Sequence, residues 1–186
     1  MKTTFTKNDI SRCTPDTIDL GDGYTAKIET EYDQDSDAPW EECDGHGPVS
    51  DWTTRDKRPG ERVLCSDHGK KRFYDDASAI KEAKRDGWDA KPYKTGTKGE
   101  QASRAVEADF EYLRKWCNDQ WHYIGVIVTL LDANDCEVAS DSLWGVEDLG
   151  DYWRETAAEM LTNLAEKQTK EIAERAEWEA RDTMTA

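Results

Sequence analysis

The sequence predicts an α+β fold, in which an antiparallel sheet of about six strands packs against two or three helices. Three pairs of short runs rich in Thr, Val, Ile and aromatic residues flank turn-forming residues, which is the pattern of β-hairpins. Two internal segments place apolar residues at helical spacing, and a long third segment with the same spacing closes the sequence. Strands and helices in this mixed order are typical of an α+β domain.

The three hairpins are predicted from their turns, which contain the Gly, Asp and Asn residues that tight turns favour. The turns are Gly21-Asp22-Gly23, Ser66-Asp67-His68-Gly69 and Asp132-Ala133-Asn134-Asp135. The strands that flank them are predicted at residues 17–20 and 24–32, 61–65 and 70–74, and 121–131 and 136–144. The run from Ile124 to Leu131 is apolar enough for a central strand of the sheet.

The helices are predicted from apolar residues that recur every three or four positions. The first spans residues 76–86, where Asp75 can cap the start and Gly87 the end. The second spans residues 100–118 and follows a polar connection at residues 88–99. The third opens at Asp151 and has five positions predicted to be buried: Trp153, Ala157, Met160, Leu161 and Leu164.

Residues 1–165 are predicted to form a single α+β domain, and residues 166–186 a Glu-rich helical extension of it. The length of 186 residues suits one domain of ordinary size. Beyond Glu166 the apolar positions thin to Ile172, Ala176 and Trp178, so the extension can project, fray or pair with another chain. A homodimer formed through the C-terminal helix is therefore one expectation.

The composition is strongly acidic and favours a basic partner. The formal net charge is −16, from 41 Asp and Glu residues against 25 Lys and Arg. Such a field opposes direct contact with nucleic acid and with anionic membranes. No signal-peptide pattern and no bilayer-spanning apolar run are present, so a cytoplasmic location is expected. The five Cys, an odd number, favour reduced thiols or a metal site over a disulfide framework.

Residues 28–54 are the most unusual stretch of the sequence. They contain nine Asp or Glu residues and no Lys or Arg. Five of the acids fall on every second position: Glu29, Glu31, Asp33, Asp35 and Asp37. In an extended chain such residues repeat at about 6.5–7 Å on one face, close to the spacing of phosphates along a nucleic-acid strand. The stretch therefore indicates mimicry of nucleic acid toward a basic groove, while charge kept for solubility is the alternative.

Two Cys-x-x-His pairs indicate a zinc site. Cys43 and His46 lie in the acidic stretch, and Cys65 and His68 lie at the turn of the second hairpin. Tetrahedral zinc takes four nitrogen or sulfur ligands, which two such pairs can supply. One structural zinc ion is therefore a candidate cofactor, and it would fix a loop that has few aliphatic side chains of its own. The alternative is a chance match, with Cys65 a strand residue and His68 a turn residue.

Three other kinds of site fit the sequence less well. Asp33, Asp35, Asp37 and Asp44 resemble an EF-hand calcium loop, but Ala38 replaces the glycine that the turn requires. Hydrolysis could use His46 with nearby acids or with a Cys nucleophile, although all of these residues lie on one irregular stretch. Those partners are Glu41, Glu42, Cys43 and Asp44. The run Lys70-Lys71-Arg72-Phe73-Tyr74 mixes bases and aromatics as single-strand binders do, but it is better explained as an internal partner for the acids.

One run resembles a family of small proteins encoded by bacteriophages and prophages. It reads Ala38-Pro39-Trp40-Glu41-Glu42-Cys43-Asp44-Gly45-His46-Gly47-Pro48-Val49-Ser50-Asp51-Trp52, and the likeness continues through residues 58–65, 72–75, 85–88 and 110–131. The resemblance implies an accessory protein that acts in the cytoplasm of a bacterial host, where such proteins often bind and inhibit host machinery. It assigns no catalytic residue.

The sequence taken together predicts a protein that binds rather than catalyses, and that inhibits a basic, nucleic-acid-handling host protein. No direct contact with nucleic acid or membrane is expected. The residues predicted to contact the partner are Glu29, Glu31, Asp33, Asp35, Asp37, Trp40, Glu41, Glu42 and Asp44. Trp40 and Trp52 are also predicted to hold the acids in position. The alternatives are a zinc-stabilised interaction module built on Cys43, His46, Cys65 and His68, and a small metal-dependent hydrolase.

Overall fold

A computed structural model of the protein describes residues 1–88 and 95–185. In chain order the strands are β1 Asp16–Gly21, β2 Tyr24–Tyr32, β3 Glu61–Asp67, β4 Lys70–Asp75, β5 Tyr123–Leu131 and β6 Glu137–Glu147. The helices are α1 Pro39–Glu42, α2 Asp76–Asp86, α3 Lys98–Cys117 and α4 Tyr152–Thr185. Residues 89–94 of the connection predicted at 88–99 lie outside the described residues.

The α+β class is confirmed, but the six strands form two sheets rather than one. Four of them form an antiparallel sheet in the order β1-β2-β5-β6, and β3 pairs with β4 in a separate hairpin. The three predicted hairpins are all present. The sequence could not show that the middle hairpin is separate, because alternating polarity fixes the face of a strand and not its neighbours.

Contacts group the chain into two compact units, where the sequence predicted one domain over residues 1–165 and an extension over 166–186. The sheet unit comprises Met1–Gln34 and His122–Ala186, and the hairpin unit comprises Asp35–Trp121. Each has its own apolar core. The acidic stretch at residues 28–54 therefore begins in one unit and continues in the other.

In the sheet unit, α4 and the four-stranded sheet share one core. Ala26 and Ile28 of β2 and Val126, Val128 and Leu130 of β5 are buried on one face of the sheet because strand residues alternate between faces. The five residues predicted to be buried in the last helix, Trp153, Ala157, Met160, Leu161 and Leu164, are all in this core. The spacing of apolar residues in the sequence therefore predicted the buried face of α4 correctly.

Helix α4 continues well beyond that core. Its 34 residues correspond to about 50 Å of helix at 1.5 Å per residue. From Glu166 to Asp182 almost every side chain is exposed, including Ile172 and Trp178. No helix among residues 1–88 and 95–185 combines the length and the hydropathy needed to cross a bilayer.

In the hairpin unit, β3, β4, α2 and α3 enclose a core that includes Leu64, Tyr74, Val106 and Phe110. Asp75 caps α2 as predicted, since its Oδ1 accepts a hydrogen bond from the Ser78 backbone N–H at 3.0 Å. Gly87 ends that helix with a φ of 70°. Helix α3 begins two residues earlier than predicted because Thr97 and Glu100 form a capping box.

Residues 48–53 extend the hairpin by running along the outer edge of β4. Val49 pairs with Tyr74 and Thr53 pairs with Lys71, both in antiparallel bridges. The Ser50 N–H donates to the Phe73 carbonyl, and the Thr53 N–H donates to the Lys71 carbonyl. The second half of the acidic stretch is thus attached to the hairpin by backbone hydrogen bonds.

Candidate functional site

A buried carboxylate, that of Asp109 on α3, fixes the acidic stretch to the hairpin unit. Its side chain is 8% exposed. It accepts hydrogen bonds from His46 Nδ1 at 2.5 Å, from the Gly47 N–H at 2.8 Å and from the Tyr74 hydroxyl at 2.7 Å. Because a carboxylate only accepts, His46 carries its proton on Nδ1. Three donors compensate the buried charge, and together they attach residues 46–47 to both α3 and β4.

The neighbouring rings of Tyr112 and Tyr74 restrict the positions that His46 and Gly47 can adopt. The His46 ring stacks on Tyr112 with the centroids 5.5 Å apart and the planes 8° apart. A Cβ atom at residue 47 would overlap the Tyr74 ring, so glycine is required there by the closeness of the backbone. Burial and the hydrogen bond to Asp109 raise the pKa of Tyr74 far above its usual 10. The phenol therefore stays protonated and serves as a permanent donor.

A second attachment point lies at Trp40 in α1. Its indole meets Trp116 of α3 edge to face, with the ring centroids 5.4 Å apart. The guanidinium of Arg72 lies 5.0 Å from the Trp40 ring and 5.1 Å from the Trp52 ring. Ala38 and Pro39, just before Trp40, are buried. Trp40 is therefore packed against the hairpin unit, and Trp52 reaches the same cluster although it is 41% exposed.

Four acidic side chains are exposed between these two attachment points or just before the first of them, and we call them the loop acids: Asp37, Glu41, Glu42 and Asp44. The Asp37 N–H donates to Glu42 Oε1 at 2.8 Å, which closes the turn around α1. Within the described residues, none of the four carboxylates forms an ion pair with a lysine or arginine. The loop acids are therefore held on a fixed backbone while their negative charges face solvent.

The predicted row of five alternating acids does not form one regular face, and that expectation was wrong beyond Tyr32. Strand β2 ends there, so the extended spacing applies only to Glu29 and Glu31. Glu29 pairs with Lys27 at 2.8 Å, and Glu31 is exposed. Asp33 accepts a hydrogen bond from the Gly145 N–H at 3.0 Å. Asp35 is exposed, but it belongs to the hairpin unit rather than to the sheet unit that holds the first three acids.

The four candidate zinc ligands lie in unrelated surroundings. Cys43 is exposed after α1, and His46 is bonded to Asp109. Cys65 is a partly buried residue of β3, and the side chain of His68 is 95% exposed in the β3–β4 turn. In residues 1–88 and 95–185, no group of three or more His, Cys, Asp or Glu side chains is placed to hold a metal ion. The residues as arranged here do not fit a zinc or calcium site, and metal binding stays a prediction.

The residue to which His46 is hydrogen-bonded in the structure differs from those considered as its partners in hydrolysis. Glu41, Glu42, Cys43 and Asp44 are all exposed, whereas the ring of His46 is directed to Asp109. Sequence reasoning missed Asp109, although one signal was present. It lies between Val106 and Leu113 on the buried stripe of α3, where an acid demands hydrogen-bond donors from elsewhere in the fold.

Comparison with known proteins finds no matching family model, no similar curated protein and no similar solved structure.

Proposed function

We propose that the protein acts by binding, and that the loop acids dock on a basic surface of a nucleic-acid-handling protein and inhibit it. The observation that carries this proposal is the exposure of Asp37, Glu41, Glu42 and Asp44 on a segment attached at Trp40 and His46. Carboxylates that form no ion pair with a lysine or arginine of the described residues are available to the basic side chains of another protein.

The two attachment points favour binding because they reduce the entropy lost on association. A loop that is ordered before it meets its partner loses less conformational freedom than a flexible acidic tail. Glu42 also helps to order the turn through its bond to the Asp37 N–H. The net charge of −16 adds long-range attraction toward a basic partner and would speed encounter at low salt.

The kind of partner follows from the charge and from the resemblance. A basic groove that normally holds nucleic acid gains counterion release when carboxylates take the place of phosphates. The sequence run around Trp40 resembles phage-encoded accessory proteins, which favours a target in the bacterial host. Host nucleases that act in restriction or recombination are the class to test first.

The experiment is a DNA-cleavage assay with such nucleases, paired with a direct binding measurement across a range of salt concentrations. The test variant neutralises the loop acids: Asp37→Asn, Glu41→Gln, Glu42→Gln and Asp44→Asn. The control variant removes the same number of charges from the exposed part of α4: Glu171→Gln, Glu174→Gln, Glu177→Gln and Glu179→Gln. Both variants carry the same net charge. Comparing them therefore distinguishes binding by the loop acids from attraction by the overall negative charge of the protein.

We expect the wild-type protein and the control variant to inhibit cleavage, and the loop variant to lose most of its affinity. The dependence of the binding constant on salt should also weaken in the loop variant, because fewer ion pairs form. Equal binding by the two variants would show that the loop acids have no special role. Full nuclease activity at excess protein, with no salt-sensitive complex in host lysate, would count against the proposal as a whole.

A further inference from the structure

The indole of Trp144, in β6, lies flat on the face of the four-stranded sheet that is opposite its core. A Cβ atom added to Gly125 of β5 would lie 2.6, 2.7 and 2.7 Å from three adjacent carbons of the six-membered ring of Trp144. A point almost equally close to three adjacent ring atoms at this range lies over the face of the ring. Because strand residues alternate between faces, that point is on the side of the sheet away from the buried Val126. One face of the indole therefore packs against the backbone of Gly125.

The other face of this indole is open to solvent. Trp144 is 47% exposed although one face of its ring is covered by the sheet. In the described part of the chain it makes no hydrogen bond, has no aromatic partner and has no cation over its ring. Tryptophan is enriched among the residues that contribute most to binding at protein interfaces. A fixed indole with one open face is therefore suited to hold a group of a binding partner.

A carboxylate without an ion pair lies beside the ring. Glu31 of β2 is directly opposite Gly125 in the ladder, so its side chain projects from the same face of the sheet as the indole. Residues directly opposite one another have Cβ atoms about 4.5–5.5 Å apart, which places the Glu31 side chain next to the ring. Glu31 is exposed and forms no ion pair within residues 1–88 and 95–185. The next acid on this face, Glu29, is already paired with Lys27 at 2.8 Å.

The hairpin unit shows which group such a combination holds. The guanidinium of Arg62 lies 3.7 Å from the centroid of the Phe110 ring, and it bonds to the carboxylates of Asp76 and Glu107 at 2.6 Å each. Arginine suits this arrangement because its planar, weakly hydrated guanidinium stacks on an aromatic face and still pairs with a carboxylate. At Trp144 the aromatic face and the carboxylate are both present, and the described residues supply no cation.

We propose that Trp144 and Glu31 bind an arginine side chain of a partner protein, which stacks on the indole and pairs with the carboxylate. A nucleobase also stacks on indoles, but its phosphate would approach Glu31 and a protein of net charge −16. The site belongs to the sheet unit, whereas the loop acids belong to the hairpin unit. The proposal therefore goes beyond the proposed function and does not depend on binding by the loop acids.

The first test is an NMR titration of the ¹⁵N-labelled protein with N-acetyl-arginine amide, N-acetyl-lysine amide and adenosine monophosphate. The indole N–H signal of Trp144 is assigned by its loss in the Trp144→Phe variant. The arginine amide should shift this signal and the Glu31 amide signal in a saturable way, and should bind at least about threefold more tightly than the lysine amide. The absence of a saturable shift, or tighter binding of either other probe, would overturn the proposal.

The second test repeats the arginine titration with variants, after backbone spectra have shown that each is folded. Glu31→Gln should weaken binding by about threefold, because an exposed ion pair is lost. Glu159→Gln is the matched control and should bind as the wild type does. Glu159 is also exposed without an ion pair in the described residues, but it lies on α4, which packs on the other face of the sheet. Equal affinity in the Glu31→Gln variant and the control would overturn the proposal.

Gly125→Ala tests the position of the indole without removing either binding group. The added methyl group overlaps the ring of Trp144, which must move away from the sheet. Binding of the arginine amide should therefore fall by at least as much as in the Glu31→Gln variant. Undiminished binding in a folded Gly125→Ala protein would show that the stacked indole is not part of the site.

Discussion

His46 Nδ1 lies 2.5 Å from Asp109 Oδ1, and this bond joins residues 63 positions apart in the sequence. It places a residue of the acidic stretch against a carboxylate in the middle of α3. The Gly47 N–H and the Tyr74 hydroxyl complete the set of donors around Asp109. Residues 46–47 are therefore held by a buried polar cluster rather than by apolar packing alone, and loss of that carboxylate should release them.

Asp109→Ala should destabilise the protein by about 3 kcal/mol, because the Tyr74 hydroxyl and the Gly47 N–H would be left buried without an acceptor. The measurement is the free energy of unfolding from urea titration. Glu111→Gln is the matched control, since Glu111 lies on the same helix and makes a surface ion pair with Arg114. That change should cost less than about 1 kcal/mol. Equal losses in the two variants would contradict the role assigned to Asp109.

The contrast between Asp75 and Asp109 shows what the sequence could and could not predict. Asp75 caps the helix that follows it, and a local pattern of that kind is readable from neighbouring residues. Asp109 bonds to groups 35 to 63 positions away, so its role depends on tertiary contacts that no local pattern contains. The hairpins and helices were accordingly predicted well, while the attachment of the acidic stretch was not.

The acids of residues 29–37 are a second example, in which a local pattern predicted a regular face that the folded chain does not form. Alternation suggested one extended face, but β2 ends at Tyr32 and the chain then passes into the hairpin unit. A period of two describes a strand only while the backbone stays extended. Where a strand ends depends on which partner strand is present, and for β2 that partner is β5, about a hundred positions later in the sequence.

Gly47→Ala should weaken the attachment of residues 46–47, because the added methyl group overlaps the Tyr74 ring. Relief requires movement of the loop away from Asp109, and overpacking of this kind costs about 1–3 kcal/mol. Urea titration measures the loss, and limited proteolysis should cut residues 36–48 faster than in the wild type.

Gly99→Ala is the control for that change. A Cβ atom at residue 99 comes no closer than 3.8 Å to the neighbouring side chains of Lys84 and Thr97, which is ordinary contact, and the position lies in the first turn of α3. Alanine favours helix over glycine by up to about 1 kcal/mol, so this variant should be as stable as the wild type or slightly more stable. A loss at residue 99 as large as that at residue 47 would show that the Tyr74 contact is not the cause.

Stability should fall as the pH drops from about 4.5 to about 2, in part through Glu61. Arg55 donates two hydrogen bonds to this carboxylate, at 2.6 and 2.7 Å, and lowers its pKa from 4.5 to about 2. Because the pKa is lower in the folded state, the stabilisation is complete above the unfolded value and disappears as the pH falls through the folded one.

Thermal unfolding across that pH range checks the assignment. Glu61→Gln should be less stable than the wild type at neutral pH but should lose less on acidification, so the two curves converge near pH 2. Asp9, whose pKa Lys2 lowers from 3.8 to about 2, contributes in the same direction in both proteins and cancels from the comparison. Parallel curves for the two proteins would contradict the contribution of Glu61.

Trp40→Ala separates the presentation of the loop acids from their charge, because it changes no ionisable group. It removes the contacts with Trp116 and Arg72, so unfolding should become easier by about 2 kcal/mol or more. If the acids bind through a turn that is already ordered, the affinity for the basic partner should also fall, because the variant would lose conformational entropy when the turn becomes ordered on binding.

Trp178→Ala is the matched control, because Trp178 is 67% exposed on α4. It should change neither stability nor affinity appreciably. Unchanged partner affinity in the Trp40→Ala protein, together with loss in the variant that neutralises the loop acids, would show that the charges bind without a fixed scaffold.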